Sequence, residues 1–286
     1  MRAGPSLISL VVGLVALWAL FWLIERVQPA RVTLRRRPID TRADIAYWFF
    51  TPLVTRAATR IAIGVAFALI AWWQGMTLAD FQRLATSQQT WMTSLPLAAQ
   101  VPLILLTGDF LAYWTHRLFH GRWLWPFHAI HHSSKAVDWL ASVRLHPIND
   151  AVTRVIQVLP LYWLGFNGAA LAAFVPVLTL YALVLHANVR WTYGPLRYVI
   201  ASPAFHRWHH TTESEGLDKN FAGMFPFIDL IFGTFYMPAG REPQHFGILR
   251  DDVPDGLLAQ LAYPFRRHRA PALSYDQGSV PPNREG

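Results

Sequence analysis

Apolar residues in this chain gather into long unbroken runs rather than the amphipathic stripes of a soluble protein. Three of them, Leu7 to Leu23, Leu95 to Tyr113 and Asn167 to Leu185, match the ~17 to 25 residues that a helix needs to cross the hydrocarbon core. Asp109 is the only charged residue among them. Two shorter runs add to the pattern. Ile61 to Trp73 follows Arg56 and Arg60, whose long side chains reach back to the headgroups. Val155 to Phe166 leads through Gly165, Asn167 and Gly168 into the next run, which reads as a tight hairpin between two tilted helices. The pattern predicts an all-α, multi-pass transmembrane protein of about four to five spans. Large residues from Trp18 to Ile24 stand where a signal peptide would carry its small-residue cleavage site, and Glu25-Arg26 reads as a stop, so the first run is an anchor.

Composition agrees with the runs: the 286 residues are 53% hydrophobic and only 15% charged. The formal net charge of +8 is distributed as a membrane protein distributes it, not as a nucleic-acid binder does. Arg26, Arg31, Arg35, Arg36 and Arg37 crowd behind the first run, whereas Met76 to Ser94 carries only Arg83 and an acid. Basic loops stay cytosolic. The first loop is therefore expected inside and the N-terminus outside, with the segments after Thr115 and after His186 cytosolic, in a protein of the bacterial inner membrane. Arg31 to Arg37 reads first as this topology signal and second as a docking surface for an acidic electron carrier. Trp18, Trp22, Trp72, Trp73 and Trp91 lie where an aromatic belt would anchor the spans.

The expected organisation is a transmembrane and loop region over 1–94, a catalytic domain over 95–240 and a cytosolic tail over 241–286. Ala270 to Gly286, rich in Pro and Gly, reads as disordered. No internal repeat of fixed period is found.

The absence of cysteine excludes disulfides, thiolate-bound zinc, iron–sulfur clusters and a cysteine-ligated haem. Any metal must use nitrogen or oxygen. Of twelve histidines, eight fall in two windows: His116, His120, His128, His131 and His132, then His206, His209 and His210. His116 and His120 share a helix face, and the other groups repeat the spacing i, i+3, i+4, which points the rings to one side. Burying that many imidazoles without a shared partner would strand many polar groups. Neutral imidazole suits Fe, Zn, Cu or Ni. His146 and His186, at the cytosolic ends of the hairpin, add one candidate ligand each, which makes ten for two metals. Asp109, two helical turns before His116, and Asn188 are candidates to support the ligands. Asp138, Asn149, Asp150 and Asp229 read as caps or turn residues, and His245 and His268 as ordinary hydrogen-bonded histidines.

His116-Arg117-Leu118-Phe119-His120, His128-Ala129-Ile130-His131-His132 and His206-Arg207-Trp208-His209-His210 resemble the three histidine boxes of the fatty acid hydroxylase superfamily, which includes sterol desaturases. Gly108-Asp109 through Tyr113-Trp114 before the first box matches as well. So do Asn220-Phe221, Asp229 and Phe232-Gly233-Thr234 after the third, although Ala222 stands where a glycine is common. The resemblance covers roughly Leu103 to Tyr236. It implies a membrane-embedded oxygenase with two Fe ions (di-iron) and O2 as co-substrate. The substrate would be a lipid from the bilayer: a sterol or isoprenoid, a fatty acyl chain or an alkyl ether, hydroxylated or desaturated. With no fused haem domain, electrons would come from a separate protein, a ferredoxin or a b-type cytochrome with its reductase. Two rival readings differ in geometry. A metal-ion transporter would place its ligands at the bilayer midplane, and a haem-binding electron carrier would need only a few paired axial histidines.

Overall fold

The computed structural model describes residues 5–30, 36–80, 83, 90–166, 168–250 and 252–266, with backbone alone at 168–170 and 172–175. Among the described residues every regular element is helical, and only two isolated bridges occur, Pro29 with Val189 and Thr211 with Phe246.

Helix α1, Leu7–Val27, starts where the Ser6 side chain accepts from the Ser9 N–H at 3.1 Å. It buries only Leu10 and Phe21 and leaves the rest of its apolar surface exposed, as a lipid-facing helix does. Helix α2, Pro38–Trp73, is one continuous 36-residue run, so Ile61 to Trp73 is not a short separate segment but the far half of a long span. The apolar pattern is interrupted by Arg56 and Arg60, but the helix runs on through them and through Pro52. Proline lacks an N–H and crowds the carbonyl a turn earlier, and the helix absorbs it by widening into a π-turn over Thr51–Thr55. Helix α3, Leu97–Phe119, is the third helix long and apolar enough to cross a membrane.

Helices α4, Trp125–His132, and α5, Pro147–Trp163, follow, then α6, Gly168–His186. The α5–α6 turn is the expected tight hairpin. Gly165 has φ +81°, and a Cβ there would fall 2.3 Å from Thr90 Cγ2, while its carbonyl accepts from Thr90 Oγ1 at 3.0 Å. α5 packs between α2 and α3, and this explains its weak hydropathy. Its polar residues are satisfied inside the bundle: Asp150 accepts from Thr59 at 2.6 Å, and Gln157 donates to the Gly108 carbonyl at 3.0 Å.

The short helices α7, Pro203–His209, α8, Phe227–Ile231, and α9, Leu257–Ala262, lie beyond the spans. The ends of the long helices are tied together there. Glu25, closing α1, accepts from the N–H groups of Asn188 (2.9 Å) and Trp139 (3.4 Å). Arg144 is 1% exposed; its Nε bonds Asp44 at 2.6 Å, and its other nitrogens reach Asp40 and Ser133. Arg36 pairs with both Asp44 and Asp138, so this member of the basic cluster is an internal ion-pair partner rather than a docking group. Arg31 and Arg35 lie outside the described residues. The segment after 241 folds back, with Tyr263 packed against Tyr47, Ala129 and Ile130. Ala270 to Gly286 and His268 lie outside the described residues.

Removing Arg144 leaves Asp40 and Asp44 buried with less compensating charge, and such a loss costs about 3 to 5 kcal/mol. Arg144→Met should therefore lower the thermal unfolding midpoint in detergent by several degrees. An unchanged midpoint would show that the cluster contributes nothing to stability.

Candidate metal centre

The histidines come from four helix ends that the bundle brings together. His116 and His120 close α3, His128, His131 and His132 form the second half of α4, and His186 ends α6. His206 and His209 lie on α7, with His210 as its cap. α7 is started by Ser202, whose side chain accepts from the Phe205 N–H at 3.2 Å, and by Pro203 at its first position.

The rings divide into two groups. His116, His120, His128, His132 and His209 form one, and His131, His186, His206 and His210 the other, each with its ligand atoms within 4.8 Å of one another. The expectation that each HxxHH run points all its rings one way is thus corrected. In both runs the i, i+4 pair serves one group and the i+3 ring the other: His128 and His132 oppose His131, and His206 and His210 oppose His209. Three and four residues advance a helix by different angles, so a ring at i+3 and one at i+4 diverge across the stripe. The groups abut where His132 stacks on His210, ring centres 4.3 Å apart.

Tautomers follow from the partners. A carbonyl only accepts, so an imidazole nitrogen facing one carries the proton. His116 Nδ1 donates to Phe221 O (2.8 Å), His131 Nδ1 to Arg144 O (3.0 Å), His186 Nδ1 to Ala182 O (2.8 Å) and His209 Nδ1 to Lys219 O (2.8 Å). His128 Nδ1 donates to Asn149 Oδ1 at 2.8 Å, and His120 Nδ1 to the Asp218 carboxylate at 2.9 Å. In neutral rings the Nε2 atoms are then bare. Yet His116 and His128 bring these atoms to 2.9 Å, and His131 and His186 to 3.3 Å. Two lone pairs face each other in each group with no proton between them. Nε2 of His120 and of His209 is buried without a partner as well. Protonation is opposed by burial, which holds the imidazoles of His128, His131, His132, His206, His209 and His210 well below the ordinary histidine range, with neighbouring rings adding repulsion. A metal cation in each group satisfies all of these atoms, and the all-nitrogen donor set suits a first-row transition metal.

One loop supplies three of these anchors, and two carboxylates hold it. Asp109 accepts from the N–H groups of Gly223 (2.9 Å), Met224 (3.1 Å) and Phe225 (2.7 Å). Asp229 accepts from Phe221 (2.8 Å), Ala222 (2.9 Å) and the Thr234 hydroxyl (2.7 Å). Asp229 thus holds the peptide whose Phe221 carbonyl orients His116, while Asp109 holds the three residues that follow and joins neither histidine group. Asp218 and Asn220, at φ 53° and 60°, hold the left-handed conformation that asparagine and aspartate tolerate best. Between them the Lys219 carbonyl reaches His209.

His146 falls outside both groups. Its Nδ1 accepts from the Ile148 N–H at 3.1 Å, which makes it the N-cap of α5, and its Nε2 donates to Leu261 O at 3.2 Å. Both nitrogens are occupied by backbone. Asn188 contributes through its backbone, donating to Glu25 and accepting from Ala30. Asp138 caps the 139–143 turn, and Asn149, which reads in the sequence as a cap, orients His128. His245 is exposed, 3.9 Å from Glu213. Sequence reasoning missed Asp218 and Arg144, and a carbonyl anchor such as that of Lys219 has no side-chain signature at all.

Three variants separate these roles by the metal-to-protein ratio after purification. His128→Ala should lose bound metal. Asn149→Ala should retain it with roughly 10- to 100-fold weaker affinity. His146→Ala should keep the ratio and lose only about 1 kcal/mol of stability from the missing cap. Equal metal loss in His146→Ala and His128→Ala would return His146 to the ligand set.

The fatty acid hydroxylase family model matches residues 101–234, the stretch that holds all nine grouped histidines. Ornithine lipid hydroxylase OlsE of Rhizobium tropici is 34% identical over 257 residues, which cover 87% of this chain and 73% of that protein. The alkylglycerol monooxygenase of Caenorhabditis elegans is 27% identical over 149 residues, 52% of this chain but 29% of the relative. A very-long-chain aldehyde decarbonylase of Oryza sativa subsp. japonica is 30% identical over 160 residues, 50% of this chain and 24% of the relative. The chain therefore spans only part of the two eukaryotic proteins. No solved structure matches. The three boxes, the helical membrane architecture and the likeness to OlsE along most of both chains establish that this protein belongs to the fatty acid hydroxylase family, the membrane-bound, oxygen-dependent oxidoreductases that act on lipids.

Proposed function

We propose that the protein is a di-iron hydroxylase of a membrane lipid, with one iron in each histidine group and electrons from a separate one-electron carrier, a ferredoxin or a b-type cytochrome. The observation that carries this reading is the facing of bare Nε2 atoms in both groups. Zinc would satisfy the same atoms but has no accessible redox state, and oxidising an unactivated C–H bond requires one. When bound, the iron pair supplies the redox chemistry that activates O2 and transfers oxygen to carbon.

The chain's own residues do the rest. Backbone carbonyls fix each imidazole tautomer and ring plane. Trp125 lies 5.1 Å from the His120 ring and 5.4 Å from His132 and so packs an indole against the first group. The groups sit at the ends of the spans rather than at their middle, which favours an oxygenase over a transporter. A lipid entering from the leaflet keeps its head at the interface and presents a carbon of its chain to the site. Hydroxylation balances as one O2, two electrons and two protons giving one alcohol and one water. The names of OlsE and of the alkylglycerol monooxygenase favour this outcome over desaturation. Arginine crowding behind the first span supports a cytosolic site in a bacterial inner membrane.

Lipid profiling of cells carrying the intact protein or His131→Ala, grown under isotopically labelled O2, tests the activity. A lipid that gains one labelled oxygen only with the intact protein is expected. Loss of two hydrogens without label would make the enzyme a desaturase, and identical profiles in hosts with a working electron donor would overturn the reading. Sidedness has its own measurement: a reporter fused after the C-terminus should be active only on the cytosolic side, and activity on the outer side would reverse the orientation.

A further inference from the structure

A second site lies beside the histidines, at the surface. A cavity of about 430 Å³ opens between the chain that follows α6, the start of α7 and the 237–242 turn. Arg190, Arg197 and Arg241 line it, together with Met237, Ala204 and Glu242. The single carboxylate is already engaged. Glu242 receives the buried Arg207 guanidinium on both oxygens, at 2.9 and 3.0 Å. Arg190 spends its Nε on the Pro29 carbonyl, and Arg197 lies over the Tyr198 ring and donates to that residue's hydroxyl. Neither has an acidic partner among the described residues. Arg241 lies 5.7 Å over the Trp208 ring and has a 3.4 Å contact with Glu215, arginine and glutamate both being exposed. The cavity therefore presents several guanidinium groups and no unengaged carboxylate, the chemistry that binds an oxyanion.

Its depth relative to the membrane points to the source of that oxyanion. Leu196, Tyr198, Val199 and Ile200 flank Arg197 and are all exposed, as are Leu230 and Ile231 on α8. The Tyr198 and Phe235 rings meet at 5.4 Å, so the two segments adjoin. Exposed aliphatic side chains with arginine-capped aromatic rings are the signature of a surface lying at the headgroup level. The inner wall of the cavity is Ala204, two residues before His206 of the second histidine group.

We propose that this cavity binds the phosphate or carboxylate of a lipid headgroup, and so holds the polar end of the substrate beside the metal centre. The proposal rests on the lipid-oxygenase reading for the word substrate, but not for the binding itself. The substrate class is then an anionic or zwitterionic lipid with an accessible oxyanion, rather than a sterol or a neutral glyceride.

Binding can be measured on the full-length protein in neutral detergent, by isothermal titration with water-soluble short-chain lipids. A phosphatidate and an N-acyl amino acid supply the oxyanion, the matching diacylglycerol lacks it, and inorganic phosphate supplies it without a chain. At least one of the two anionic lipids should bind, diacylglycerol should not, and phosphate alone should bind about tenfold more weakly or worse. The double variant R190Q/R197Q should weaken lipid binding about tenfold or more, and R190K/R197K should restore part of it. Equal affinity of the intact protein and R190Q/R197Q, equal affinity for diacylglycerol, or binding of neither anionic lipid would overturn the proposal. Phosphate binding as tight as the lipid would assign the cavity to a free anion and overturn it too. If R190Q/R197Q is unfolded by circular dichroism, R197Q alone is read by the same criteria. The titration reads binding alone and the labelled-O2 lipid profiles read oxygenation alone, so headgroup binding and oxygenation can fail separately.

Discussion

Two unprotonated imidazole nitrogens about 3 Å apart repel each other, and this protein builds that arrangement twice, in a site where burial keeps the His128 and His131 rings from readily taking up a proton. The remaining architecture serves to impose it. His116 and His209 are turned by two carbonyls of one loop after α7, those of Phe221 and Lys219, His131 by the carbonyl that ends the 139–143 turn, and His186 by a carbonyl of α6 itself. None of those carbonyls can rotate freely, because each belongs to backbone already fixed by other bonds. A metal ion would relieve the repulsion, so its binding energy would also be folding energy for the part of the molecule that holds the histidines.

Holding polar backbone at this depth needs charge in turn. Asp109 and Asp229 take five N–H groups of the 221–225 segment between them, which lets an irregular loop lie against a membrane span without stranded donors. Arg144 plays the complementary part on the other side of the site. Its carbonyl orients His131, while its guanidinium draws the start of α2 onto the segment that follows α4. The ligand helices are thus braced from two sides by ion pairs and carboxylate–amide bonds rather than by a large apolar core.

Much of this was legible in the sequence because histidine is costly to bury and helical spacing is regular. The eight clustered histidines, the spans α1 and α3 and the Gly165 turn follow from local pattern alone. Allocation between the two groups did not, since it depends on how far α4 and α7 are rotated about their axes, and only packing fixes that. His146 looked like a ligand because it sits at a helix end beside the others. Its two nitrogens are instead held by backbone atoms, at Ile148 and Leu261, that carry no sequence signal. α2 is read only from Ile61 onward because Arg56 and Arg60 interrupt its apolar pattern, although charged residues do not end a helix. Long-range partners such as Arg144 with Asp40 and Asp44, about a hundred positions apart, leave no trace in a local reading.

Arg207 gives the headgroup cavity its mechanical meaning. This arginine lies on α7 between His206 and His209, is 1% exposed, and donates to the carbonyls of Ala187 (3.4 Å) and Val189 (2.7 Å) as well as to Glu242. It therefore joins the chain after α6, the metal-binding helix α7 and the 237–242 turn that closes the cavity. Buried, charge-assisted bonds of this kind resist independent movement of the pieces they connect. A lipid head held by Arg190 and Arg197 would then stand at a fixed separation from His206 and His210, and the carbon presented to the metals would be set by counting along the chain from the head. Selectivity on a flexible acyl chain, whose methylene groups offer no chemical distinction, needs such a ruler more than it needs a shaped pocket.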